Sequence, residues 1–196
     1  MISLKRFLLA AAMALLVGVP ARAQSWEAGA SVGLVNDVEK KFQIDEFKRH
    51  DVSVWAGYEI EDKVILRAMF GSLRVQGSHG GETIAVNGAP AAPLPDLPDL
   101  INYGTLGVAY EFLEENFKSG IFAGIGGYRI EPEATEPALR SFQDVRETVL
   151  GWHVGVDGSF QVASHLSILG RFTIHKIKSA EGQTLLTAHV GLGYRF

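Results

Sequence analysis

The sequence predicts an all-β chain, an eight-stranded antiparallel up-and-down barrel that crosses a membrane on its strands. Three observations carry that prediction. Apolar and polar residues alternate with period two along most of the chain, the connections alternate between short and long, and aromatic residues gather on the apolar face at the short-turn ends.

The first residues set the compartment. Lys5 and Arg6 precede an uncharged apolar run from Phe7 to Val19, then Pro20 and Ala21-Arg22-Ala23. This reads as a secretory signal over residues 1–23, cleaved after Ala23, because the run is shorter than the ~20 apolar residues a helix needs to span a bilayer. The remaining residues, 24–196, form one barrel domain with 15 basic and 22 acidic side chains, a formal charge of −7. That balance argues against nucleic-acid binding. With no cysteine, the chain has no disulfide, no thiolate metal site and no residue for a lipoprotein anchor.

Each strand is read from its two faces. In the first, Trp26, Ala28, Ala30, Val32 and Leu34 oppose Glu27, Gly29, Ser31 and Gly33. In the second, Val52, Val54, Ala56, Tyr58 and Ile60 oppose Ser53, Trp55, Gly57 and Glu59. Leu66, Ala68 and Phe70 oppose Arg67, Met69 and Gly71 in the third, and Leu106, Val108, Tyr110 and Phe112 oppose Thr105, Gly107, Ala109 and Glu111 in the fourth. The fifth, Gly120 to Ile130, is glycine-rich, and Ile121, Ala123 and Ile125 are placed on its apolar side. In the sixth, Leu150, Trp152, Val154, Val156 and Phe160 oppose Gly151, His153, Gly155, Asp157 and Ser159. Leu166, Ile168, Phe172 and Ile174 alternate with Ser167, Arg171, Thr173 and His175 in the seventh. The last strand sets Leu186, Ala188, Val190, Leu192, Tyr194 and Phe196 against Thr187, His189, Gly191, Gly193 and Arg195.

Links at Glu61-Asp62, Leu113 to Lys118 and Gln161 to Ser164 are short, whereas Val35 to His50, Gln76 to Leu100 and Glu131 to Arg146 are long. Short turns on one rim and long loops on the other is the layout of an outer-membrane barrel. The proline-containing stretch from Asn87 to Asp99 is expected to stay out of any sheet, extended and solvated, because proline lacks a backbone donor.

A soluble lipocalin-like carrier in the periplasm would alternate too, with the apolar faces inside. Two features oppose it. The polar faces carry glycine and isolated charges rather than a dense charged cover, which suits a narrow lumen filled by a few large side chains. The aromatics Trp26, Tyr58, Tyr110, Phe112, Phe160, Tyr194 and Phe196 form an edge to an apolar band, as interfacial girdles do.

The ending Gly191-Leu192-Gly193-Tyr194-Arg195-Phe196, a strand closing on phenylalanine with tyrosine two before it, resembles the assembly signal of bacterial outer-membrane proteins. With the signal segment and the strand count, the chain from 24 to 196 resembles the small barrels typified by the OmpA membrane domain and OmpX. The resemblance implies insertion by the barrel-assembly machinery through Tyr194 and Phe196. It also implies a lipopolysaccharide-containing outer membrane, periplasmic termini and long loops outside the cell. A periplasmic peptidoglycan-binding domain is not expected, because the sequence stops at Phe196.

Two chemical roles compete with a structural or adhesive one. Lipid A-modifying enzymes include eight-stranded barrels, and the lipid A deacylase class places a serine two residues after a histidine late in the penultimate strand. Here His175 is followed at that spacing by Ile177, so the nucleophile is missing. A general pore is disfavoured because Trp55, Met69, Tyr128 and the inward charges fill so narrow a lumen. No catalytic, cofactor or metal site is therefore assigned, and the loops are expected to meet an extracellular ligand whose identity the sequence does not give.

The inward charges Glu59, Arg67, His153, Asp157, Arg171 and His189 are read as an interior polar network, with His153, Arg171 and His189 at similar depth. If Glu61-Asp62-Lys63 is the second turn, Arg67 faces Gly57, Trp55 faces Met69, and Arg67 leans toward Glu59. If Phe160 and Leu166 flank the sixth turn, Arg171 faces Gly155 with Asp157 diagonal to it.

Overall fold

The computed structural model describes residues 25–38, 49–76, 83–84, 92–93, 98–113, 117–132, 147–179 and 182–196. The expected signal segment lies outside them. Eight strands are long enough to cross a bilayer: β1 (Trp26–Asp37), β2 (His50–Glu61), β3 (Val64–Gln76), β4 (Pro98–Leu113), β5 (Phe117–Pro132), β6 (Glu147–Gln161), β7 (Leu166–Ile177) and β8 (Gln183–Arg195). Each pairs antiparallel with its neighbours in sequence, and β1 pairs with β8, closing the barrel. Closure satisfies the backbone donors and acceptors that hydrocarbon cannot.

The register fixes the size of the barrel. Followed from Trp26 through Tyr58, Leu66, Val108, Ala123, Val154, Ile174 and Leu186, it returns to β1 at Asn36, ten residues farther on. With ~3.3 Å rise per residue and ~4.8 Å between strands, that stagger tilts the strands by about 40° and gives a radius of about 8 Å. Such a lumen holds side chains and little else.

The faces divide as the alternation requires. Val32, Leu34, Val108, Ile121, Val156, Phe172 and Val190 are outward and exposed, and Ile125 and Leu150 each keep 73 % of their surface. The fifth-strand facing, the least certain from glycine content, is the one expected. An apolar exterior of this extent excludes a soluble lipocalin-like arrangement, in which these side chains would form the core. At the short-turn rim the rings touch: Trp26 and Tyr58 lie 4.7 Å apart, Tyr110 and Phe112 5.2 Å, and Tyr194 and Phe196 4.9 Å.

Two expectations are corrected. Ala92–Pro93 pairs with Thr83–Ile84 in a small two-stranded ribbon, and β4 begins at Pro98, registered with Gln76. Proline lacks a donor but keeps its carbonyl, so it is tolerated at a strand start and in an edge pair. Residues 87–91 and 94–97 of the same stretch lie outside the described residues. The second correction is the β6–β7 register: Arg171 stands opposite Asp157, and Gly155 opposite Thr173. The turn has the expected length but is displaced by one residue toward the C-terminus, running from Val162 to Leu166. It is closed by the Val162 and Ala163 amides donating to the Leu166 carbonyl and braced by the Gln161 side chain donating to the Ser164 carbonyl.

Candidate functional site

The inward positions stack into layers of different chemistry. Nearest the short-turn rim is a chain of alternating charges. Arg67 donates to Asp157 at 2.6 Å and to Glu27 at 2.9 Å, Arg195 reaches Glu27 at 3.3 Å and Glu111 at 2.9 Å, and Lys118 lies 3.8 Å from Glu111. At the deep end Arg171 approaches Asp157 at 3.6 Å. The chain therefore runs Arg171, Asp157, Arg67, Glu27, Arg195, Glu111, Lys118, from the middle of the barrel to its mouth. Buried charges must be paired or pay heavily in desolvation, and alternation pairs nearly all of them.

Arg67 faces Gly57 and Trp55 faces Met69, as the second turn predicts. A Cβ on Gly57 would sit 2.7 Å from the Glu27 Oε1 atom, so the glycine clears the path by which Glu27 reaches Arg67. Glu59 is not the partner of Arg67; it accepts a hydrogen bond from Ser25. The acids that hold Arg67 come from β1 and β6, across the lumen, where no hairpin argument looks. The space left by Gly155 is taken by the Phe122 ring, within 2.4 Å of where a Cβ would stand.

Above the charges the two guanidiniums pack on rings. Arg67 lies 4.9 Å from the Trp55 centroid and 5.7 Å from Phe122, and Arg171 lies 5.3 Å from each. Cation–π contact of this kind is worth ~2 kcal/mol or more when desolvated.

The next layer holds hydroxyls and imidazoles. Ser31 and Ser53 share a hydrogen bond at 2.7 Å, His189 Nδ1 lies 3.3 Å from the Ser31 hydroxyl, and His189 Nε2 lies 2.9 Å from Asp51. Tyr103 donates to the same carboxylate at 3.4 Å, and Tyr128 meets His175 Nδ1 at 3.1 Å. The three residues expected at one depth divide: His189 is registered with Arg171, whereas His153 is registered with His175, 5.9 Å away ring to ring.

Serine, histidine and aspartate in that order form a constellation that elsewhere activates a nucleophile. Here Ser31 is 3 % exposed and Asp51 and Ser53 are fully buried. Trp55, Met69 and Phe122 close the lumen on one side of the constellation. Val35, Leu73, Val75, Ile101, Ile177 and Leu185 close it on the long-loop side. A substrate carbonyl has no approach to Ser31, and the arrangement serves to satisfy buried polar groups. His175 faces the same lumen, as expected from its alternation, and Ile177 belongs to the apolar plug.

The outer surface carries its own pattern at the long-loop end. His50, Arg74, Arg129 and Lys176 occupy outward positions near the ends of β2, β3, β5 and β7. Arg129 is paired with Glu131 at 2.6 Å, and Lys176 donates to Thr184 at 2.6 Å. Tyr194 is registered with Leu166, and Lys176 lies ten residues farther along β7, a rise of about 25 Å once the tilt is allowed for. That equals the ~25 Å apolar band of outer-membrane barrels. An aromatic girdle thus bounds one edge of the band and a basic collar the other.

Known proteins agree with this architecture. The structure is similar to the N-terminal β-barrel domain of Pseudomonas aeruginosa OprF, with a TM-score of 0.55 and 14 % identity over 88 % of this chain and 97 % of that one. It is also similar to Neisserial surface protein A, at 0.57 and 12 % over 90 % and 98 %. Ail, the attachment invasion locus protein of Yersinia pestis, in complex with the heparin analogue sucrose octasulfate, matches at 0.53 and 16 % over 88 % and 97 %. At these identities the likeness is one of fold. No curated protein matches the sequence. The family described as outer membrane protein beta-barrel domain matches residues 7–196, so the chain belongs to that family and resides in the outer membrane.

Proposed function

We propose that this barrel is a structural and surface-binding protein of the outer membrane, seated by its basic collar among the phosphorylated headgroups of lipopolysaccharide and meeting extracellular ligands through its long loops. The observation that carries this reading is the collar itself: four basic side chains on four strands, at one end of the apolar band and facing lipid rather than lumen. A lumen closed by an aliphatic plug supports it from the other side, because transport through the barrel would need a path that side chains occupy. Arginine and lysine at a membrane edge recognise phosphate by charge and, for arginine, by paired N–H groups. Residues 1–23 then act as a cleaved export signal, and Tyr194 and Phe196 as the segment read by the barrel-assembly machinery.

The test compares thermal unfolding of the wild type and of Arg74→Gln/Arg129→Gln/Lys176→Gln in nanodiscs of phosphatidylcholine, with and without lipopolysaccharide. Lipopolysaccharide should raise the unfolding midpoint of the wild type and not that of the triple variant. Equal stabilisation of both proteins would refute the collar's role. In cells, deleting Phe196 should lower the folded outer-membrane fraction, read as heat-modifiable migration on a gel; undiminished insertion would count against the assembly assignment.

A further inference from the structure

We infer that the short-turn mouth of the barrel is a binding site for one small inorganic anion entering from the periplasm. A cavity of about 80 Å³ opens there, reaching inward as far as Trp55 and Arg171. That exceeds the space a single water needs. Its charged lining is unbalanced: Arg67, Arg171, Arg195 and Lys118 face only Glu27, Glu111 and Asp157. Glu59, at the same rim, is not part of the lining and is engaged by Ser25.

The uncompensated charge can be located. Asp157 Oδ2 is held by Arg67 at 2.6 Å, leaving Arg171 the same oxygen at 3.6 Å. The other contacts of the Arg171 guanidinium among the described residues are the Met69 sulfur at 3.9 Å and the two aromatic faces. Its Nε has no partner, and the side chain is 1 % exposed. A buried guanidinium with unfilled donors, at the floor of a cavity open to water, is a place where an anion gains charge-assisted hydrogen bonds. Ser159, Ser164 and Ser167 bring hydroxyls to the same lining.

Trp55 lines the cavity and reports on it, whereas Trp152 is outward on the lipid face and Trp26 sits at the rim. In a Trp26→Phe/Trp152→Phe background, refolded in zwitterionic detergent, iodide is titrated at ionic strength held constant with gluconate. Quenching of Trp55 should saturate, chloride should relieve it, and caesium should not reproduce it. Arg171→Met should weaken the apparent iodide affinity by about tenfold, as expected for loss of hydrogen bonds to a charged group. Asp157→Asn should strengthen it. Arg195→Gln, at the partly exposed mouth, should weaken binding in the same direction as Arg171→Met, and heat-modifiable migration of each variant shows that it is folded. Quenching that rises linearly with iodide, with the same slope in all variants, would overturn the site.

Discussion

The two halves of the lumen are built on one strand grammar and differ in chemistry, one mainly ionic and the other mainly aliphatic. At the short-turn end, inward positions carry Glu27, Arg67, Glu111, Asp157, Arg171 and Arg195; at the long-loop end, Val35, Leu73, Ile101, Ile177 and Leu185 predominate, with Asp51 and Asp99 buried beside them. The difference teaches how a closed barrel can be anchored at one end and sealed at the other. Charges need water or one another, and the short-turn end has both, through its cavity and its alternating chain. The aliphatic side chains of the plug need neither, and they pack as one buried cluster.

The largest effect should come from breaking the ionic half. Asp157 is shared by two buried guanidiniums, so Asp157→Ala leaves both short of a counter-ion and should cost about 3–5 kcal/mol in urea unfolding of the refolded barrel. Arg171→Ala should also destabilise, and the double variant should lose less than the sum; strictly additive losses would show that the two residues do not act as a pair.

Breaking the plug tests the other half. Leu185→Ala removes a fully buried side chain and should cost about 2–5 kcal/mol through the cavity it leaves. Combined with Asp157→Ala its effect should add to within about 0.5 kcal/mol, since the two sites share no partner. A large coupling between them would mean that the layers are not separate.

The smallest effect belongs to the rim. Lys63 holds φ at 68° in the β2–β3 turn, a conformation glycine adopts without a Cβ penalty. Lys63→Gly should stabilise by up to about 1 kcal/mol, measured by the same unfolding, and leave both halves of the lumen untouched. A destabilised variant would show that the lysine side chain contributes more than its backbone costs.

Facing was legible throughout, because a strand's side chains alternate and the two faces of this barrel meet solvents as different as hydrocarbon and a packed polar lumen. Register was legible only in part. At Glu61 to Val64 the turn is tight and the pairing of Arg67 with Gly57 follows from it, whereas after β6 the loop is longer and the pairing moves by two. A slip of one residue would turn Arg171 toward lipid and is forbidden by the alternation; a slip of two keeps every side chain on its own face. Alternation therefore could not tell Gly155 from Asp157 as the neighbour of Arg171.

The luminal partners were hidden for a related reason. Glu27 lies 40 positions from Arg67 and Asp157 lies 90 positions away, and the contacts exist because closure brings β1, β3 and β6 around one axis. The same closure places Ser31, Asp51 and His189 together and seals them. The sequence by itself determined the membrane-spanning barrel, its eight strands, the lipid face and the segregation of short and long connections to opposite rims, because each follows from local alternation and turn length. Only the tertiary structure decided which charges meet, which end is plugged and where one guanidinium keeps an unfilled donor, because those depend on the stagger with which the barrel closes and on distances across a lumen that no local pattern encodes.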